Sequence, residues 1–128
     1  MITYSLKESG VFYVTFSGDV SKDNVMDYLD DFEKIGNLPK NLLTFYDLRE
    51  ANMFVKYSDI LAISRKAKKV TNSYETVKTA FIVDSPGLTA YVMLYIMQSV
   101  RTKSVRKVFS TTDAAYKWLL EDRPVSAL

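Results

Sequence analysis

Ile2, Tyr4 and Leu6 alternate with Thr3, Ser5 and Lys7, the period of a strand with one buried face. Glu8, Ser9 and Gly10 then read as a tight turn into Val11 to Phe16, so the chain is predicted to open with a β-hairpin. Val11 to Phe16 is apolar at nearly every position and suits the sheet interior, whereas the polar-faced first strand suits an edge. After it, Val25, Leu29 and Phe32 share one helical face behind Ser21 as cap, with Asp23, Asp27, Asp30 and Asp31 on the others.

The alternation of elements continues to the end of the chain. Leu42 to Tyr46 is a short apolar strand that runs into Asp47, followed by a predicted loop from Asp47 to Tyr57. Ser58 is placed to cap a second helix, with Ile60, Ile63, Ala67 and Val70 along its inward side. Val77 to Val83 is the next strand, and Pro86 fits the first turn of a helix reaching about Val100. Val105 to Phe109, interrupted by Arg106 and Lys107, suits the opposite edge. Thr111 or Thr112 then caps a last helix that contains Ala115, Trp118 and Leu119.

The order β-β-α-β-α-β-α-β-α predicts an α/β domain with a five-stranded, mostly parallel sheet in roughly sequential order. Strands separated by one helix and about thirty residues are expected to be parallel neighbours with right-handed crossovers, leaving the first strand as an antiparallel edge. A chain of 128 residues with 48% hydrophobic content supports one core, so residues 1–128 are read as a single domain.

Composition then narrows the chemistry. The absence of histidine and cysteine removes the commonest proton shuttle, thiolate catalysis and sulfur metal sites. No cofactor and no metal site is expected, and no enzymatic activity. The start MITYSLKESG lacks the pattern of a signal peptide, and no run of 18 apolar residues is present, so a cytoplasmic protein is expected. Charge is uneven: residues 1–64 hold 6 basic and 10 acidic side chains, residues 65–128 hold 11 and 5. Arg65, Lys66, Lys68 and Lys69 lie in the last turns of a helix, where the dipole favours cations. The net charge of +2 and the lack of a reader motif argue against nucleic acid as a partner.

Several segments resemble the SpoIIAA-like branch of the STAS superfamily. They are the hairpin, Tyr46-Asp47-Leu48-Arg49, the stretch from Lys78 to Pro86, and the ending Val105 to Ser110 with Asp113-Ala114-Ala115 and Trp118-Leu119. The likeness covers nearly the whole chain and implies a non-enzymatic module that binds partner proteins or small ligands. In the anti-sigma-factor antagonists of that superfamily a serine that opens a helix, within an Asp-Ser-Ser-Gly-like motif, is phosphorylated. Asp84-Ser85-Pro86-Gly87-Leu88 imitates the motif one strand later than the antagonists carry it, while the topologically matching place here is near Tyr57 and Ser58. The resemblance therefore makes Ser58 and Ser85 the phosphorylation candidates. The branch is also similar in outline to CRAL-TRIO lipid-transfer domains, which implies an apolar ligand or a membrane surface.

Two further groups stand out. Asp47, Arg49 and Asp84 are placed at the rim formed by the carboxyl ends of parallel strands, where open α/β sheets bind ligands. Tyr91, Leu94, Tyr95 and Met97 circle a helix that is apolar almost all round, which points either to cover by neighbouring helices or a second subunit, or to an apolar ligand or membrane contact. The basic residues Arg101, Lys103, Arg106 and Lys107 follow that helix and would set positive charge beside it. The expected partner is accordingly a protein or a second copy of the chain, with an apolar ligand or peripheral membrane contact as the alternative.

Overall fold

The computed structural model describes residues 1–98 and 104–121. Along the chain run β1 (Ile2–Leu6), β2 (Val11–Ser21), α1 (Lys22–Lys34), β3 (Asn41–Phe54), α2 (Tyr57–Thr71), β4 (Thr76–Ile82), α3 (Pro86–Gln98), β5 (Ser104–Phe109) and α4 (Thr112–Leu120). The strands lie side by side in sequence order, with β1 antiparallel to β2 and every later pair parallel. Gly10, with φ of 89°, makes the hairpin turn, and its N–H donates to the Lys7 carbonyl at 2.9 Å. A positive φ of this kind is open to glycine and strained for other residues.

Parallel crossovers are right-handed, so a sheet whose strands advance in one direction puts all its crossover helices on one face. α1, α2 and α3 share that face, and their buried residues Val25, Phe32, Ile60, Ile63, Leu88 and Val92 join Phe12, Val14 and Phe16 of β2 in one core. α4 follows the last strand and closes the other face, where Ala115 and Leu119 meet Val11, Phe45, Ala80 and Ile82. Successive strand residues point to opposite faces, so β2 and β3, with apolar residues at odd and even positions alike, supply both cores. Full burial of a side chain such as Phe12 or Phe45 stabilises by roughly 1.5–3 kcal/mol relative to exposure.

The expected loop from Asp47 to Tyr57 is a strand for most of its length. β3 continues to Phe54 and pairs in parallel with Ser17 to Ser21 of β2, after a register irregularity between Thr15 and Ser17. The continuation carries polar residues such as Arg49, Glu50 and Asn52, which masked its strand character, while Leu48 and Val55 are buried. Gly18, with φ of 65°, sits in the matching part of β2. Asp47 therefore does not end its strand.

The helix ends also differ in one respect from expectation. Ser21 caps α1, accepting the Asn24 N–H at 3.2 Å, and Thr111 caps α4, accepting the Ala114 N–H at 3.3 Å. Ser58, however, lies in the first turn of α2, whose flanking residue is Lys56. Asp59 three residues later accepts the Lys56 N–H at 3.3 Å, so the start of this helix is set by a carboxylate reaching back.

Candidate functional site

Asp47 and Arg49 project from the same side of β3, two residues apart, because the strand repeat is two. Arg49 grips Asp47 with both prongs of its guanidinium: Nε donates to Oδ1 at 3.0 Å and Nη2 to Oδ2 at 2.8 Å, and the Arg49 backbone N–H adds a bond to Oδ1 at 3.1 Å. Arg49 Nη2 also reaches Thr112 Oγ1, at the start of α4, at 3.4 Å. Asp47 is 7% exposed. Its burial alone would push the carboxyl upward, but the Arg49 guanidinium and amide, with the Tyr13 hydroxyl, outweigh that and hold it below the usual carboxylate range. Tyr13 itself stacks on Phe45 at 4.5 Å.

Asp84 lies beyond the end of β4, exposed, where its charge acts on Arg49. The two aspartates are thus not an equivalent pair. Asp47 is opposite Ile82 in the register and neutralised by its own arginine, while Asp84 faces solvent. A buried carboxylate kept ionised by a two-pronged arginine is a structural anion, not a proton donor at neutral pH. Among the described residues no group of three or more Asp or Glu is placed to hold a metal ion.

Ser85, which follows Asp84, caps α3. Its Oγ accepts the Leu88 N–H at 3.2 Å, and its carbonyl accepts both the Thr89 N–H at 3.0 Å and the Thr89 hydroxyl at 2.8 Å. Ser58 is exposed on the first turn of α2. Both predicted serines therefore stand at the ends of helices that begin over the same rim, where amides and dipole favour an added phosphate.

α3 is apolar all round for two reasons. Leu88 and Val92 are buried in the core, and Tyr91, Leu94, Tyr95 and Ile96 pack half-buried against it. The outer stripe is Pro86, Ala90, Met93 and Met97, with Met93 45% and Met97 65% exposed. Of the four predicted residues, Tyr91 meets the Tyr57 ring at 5.2 Å, Tyr95 meets Phe81 at 5.9 Å, Leu94 lines the flank, and Met97 alone faces outward.

The two described members of the predicted basic cluster, Arg106 and Lys107, lie on opposite faces of β5. Neighbouring strand residues point to opposite faces. Arg106 therefore turns toward the three-helix face, its guanidinium 5.7 Å from the Tyr95 ring, while Lys107 turns to the α4 face and sits 6.0 Å from the Trp118 ring. Arg101 and Lys103, and Val100 at the expected helix end, lie outside the described residues.

A cavity of about 140 Å³ lies between α2 and the sheet. α2 packs on α1 and α3, and its Ile60, Ile63, Ser64 and Ala67 roof a floor that includes Thr44, Tyr46 and Thr79. The Tyr28 and Tyr46 hydroxyls pair at 2.8 Å on one side, and Tyr91, Tyr95 and Arg106 line the other. Burial pushes the Tyr28, Tyr46 and Tyr95 hydroxyls upward, with Arg106 partly offsetting this at Tyr95. Reading the sequence alone missed this space, because Thr44 and Thr79 look like ordinary strand residues and Arg106 like a solvated edge. The signal available was that Thr44 sits in the middle of an otherwise apolar run, Leu42 to Tyr46.

No family model matches the sequence, and no curated protein matches it. Solved structures do. An uncharacterized protein of the DUF3478 family from Shewanella loihica PV-4, with a SpoIIAA-like fold, superposes with a TM-score of 0.63 over 92% of this chain and 93% of that one, at 15% identity. This chain has a SpoIIAA-like fold. The anti-sigma factor antagonist SpoIIAA in its unphosphorylated form is also similar, with a TM-score of 0.60, 6% identity, and 91% and 94% of the two chains covered. The sequential five-stranded sheet, the hairpin edge and the four helices are the elements on which the SpoIIAA-like likeness rests. No helix among the described residues is long and apolar enough to cross a membrane.

Proposed function

We propose that the chain is a non-catalytic regulatory module of STAS type that acts by binding a partner protein. The observation that carries this reading is the outer stripe of α3, where Met93 and Met97 are exposed on a helix without a charged residue from Pro86 to Gln98. Methionine side chains adapt to varied partners, and an uncharged exposed stripe suits contact with another surface. Ser85 caps this same helix, so a phosphate there would add charge at the edge of the contact surface. The likeness to an anti-sigma factor antagonist supports the reading, since antagonism of a protein factor is a protein–protein event. The neutralised Asp47 supports the absence of catalysis.

Cross-linking in cells followed by mass spectrometry tests the proposal. A defined protein adduct formed by the wild type and lost in Met93→Asp/Met97→Asp is expected. Equal adducts from both proteins would overturn the assignment of α3, and metabolite turnover abolished by Asp47→Asn would overturn the non-catalytic reading.

The cavity beneath α2 favours a second reading, a site for an apolar ligand walled by Tyr91 and Tyr95. An engineered apolar cavity of roughly 150 Å³ stays dry and admits benzene. Native mass spectrometry of the purified protein checks this reading, and liposome flotation checks contact of α3 with a membrane. Absence of any bound small molecule counts against the first, and absence of flotation against the second.

A further inference from the structure

Thr44 on β3 and Thr79 on β4 are opposite each other in the parallel register, and both line the cavity beneath α2. Their hydroxyls bond to each other at 2.7 Å. Two hydroxyls carry two hydrogens, and the bond between them uses one. Neither oxygen has another partner among the described residues, so one O–H of the pair is left without an acceptor, whichever threonine donates. With Thr44 2% and Thr79 6% exposed, that hydrogen is shut away from bulk water. The Tyr28–Tyr46 pair repeats the arithmetic, but its bond is partly exposed, so the threonines hold the buried surplus. A buried donor with no acceptor costs the empty protein free energy that an incoming acceptor atom would restore.

The rest of the chamber decides what carries that acceptor. Phe16, Leu42, Ile63, Val77 and Phe81 give it apolar walls, so the body of the ligand is a hydrocarbon. No aspartate or glutamate lines it, whereas Lys68 and Arg106 do, which excludes an ammonium group. An acid is disfavoured as well. Lys68 is exposed, Arg106 is engaged with Tyr95, and the surplus donor is a neutral hydroxyl that cannot replace the hydration of a carboxylate. An alcohol or phenol would bring a hydrogen of its own, whereas a carbonyl oxygen only accepts. The volume of about 140 Å³ limits the body to the size of one ring.

We infer that the cavity binds an uncharged carbonyl compound one ring in size, a ketone or aldehyde, whose oxygen accepts the surplus hydrogen of the Thr44–Thr79 pair. This rests on the reading of the cavity as an apolar-ligand site and adds to it the class of ligand.

The probes are cyclohexanone and toluene, equal in heavy-atom count, titrated into the full chain and into Thr44→Val/Thr79→Val at pH 7, with amide shifts in ¹H–¹⁵N spectra as the readout. Valine keeps the outline of threonine and removes both hydroxyls. The wild type is expected to bind both probes saturably, with shifts centred on Thr44 and Thr79; shifts centred elsewhere would overturn the proposal. In the variant the affinity for cyclohexanone should fall about fivefold or more relative to that for toluene, as the loss of one hydrogen bond implies. Retained toluene binding also shows that the variant is folded. A ratio unchanged by the variant, or toluene binding without any cyclohexanone binding, would overturn the carbonyl class and leave the apolar site standing. Binding of neither probe to the wild type would overturn both readings. If the variant fails to fold, ¹³C-labelled cyclohexanone bound to the wild type decides: a carbonyl resonance downfield of its position in hexane supports the bond, and one at the hexane position overturns it.

Discussion

Thr44 and Thr79 face each other across β3 and β4 with their hydroxyls 2.7 Å apart, both buried. Each hydroxyl is the other's partner in an environment with little water. Replacing one alone strands the other, whereas replacing both removes the need for a bond. Thr44→Val or Thr79→Val is expected to cost about 1–3 kcal/mol, and the double variant less than the sum of the two. Urea denaturation of the four proteins of the cycle checks this, and additive losses would show that the hydroxyls act independently.

The grip of Arg49 on Asp47 links stability to pH. In the folded protein Asp47 is held below its ordinary range, despite burial, by Arg49 and Tyr13. Its contribution is therefore complete above the unfolded carboxylate pKa of about 3.9 and is lost as the pH falls toward the lower native value. Arg49→Met leaves a buried carboxylate without its cation, at an expected cost of about 1–3 kcal/mol at pH 6. The gap between wild type and variant should narrow as the pH is lowered to about 3, where Asp47 protonates in both unfolded states. Unfolding midpoints at the two pH values measure it.

At the alkaline end the tyrosines dominate. Burial, and at Tyr28 also the neighbouring Tyr46, raises the hydroxyls of both residues above the ordinary value of 10.0. The unfolded chain loses these protons near pH 10 while the folded chain keeps them, so stability falls as the pH rises past that point. Each such group steepens the fall by about 1.4 kcal/mol per pH unit. Tyr28→Phe/Tyr46→Phe should flatten the slope by about one proton at pH 10, approaching two by about pH 11, read from denaturation curves against the wild type.

The architecture was legible because its determinants are local and periodic. Alternation marked Ile2 to Leu6, helical spacing marked Val25, Leu29 and Phe32, and the capping serine and threonine marked two helix starts. The second half of β3 was not legible, since its strand character comes from pairing with Ser17 to Ser21 across an irregular register and not from its own pattern. The rim was visible as aspartates, but not the inversion in which Arg49 folds back on Asp47 and removes it from chemistry. The cavity was invisible for a different reason. It is made by the height of α2 over the sheet, a property of how α1 and α3 hold that helix, and no single segment encodes it.

Gly18 tests the unexpected part of β2. With φ of 65° and no atom within 4 Å of where a Cβ would stand, an added methyl meets strain but no clash. Gly18→Ala is expected to lose about 1–2 kcal/mol, and Gly18→Asn less, because asparagine tolerates the left-handed region better. Thermal melts of the two variants give the ranking, and the reverse order would place the origin of the cost outside the backbone.

Ser64 isolates what a cavity-facing hydroxyl contributes to stability. The residue is 4% exposed and lines the cavity, and its hydroxyl makes no hydrogen bond among the described residues, so removing the oxygen breaks none. The methyl left behind is of similar size, and replacing an unsatisfied hydroxyl by an apolar group is neutral or stabilising. Alanine is also the better helix former in the middle of α2. Ser64→Ala should therefore raise stability by up to about 1 kcal/mol in the absence of any small molecule, measured by urea denaturation of extensively dialysed protein. A loss of more than about 0.5 kcal/mol would mean that the hydroxyl is already satisfied in the resting protein, by water or by the helix backbone.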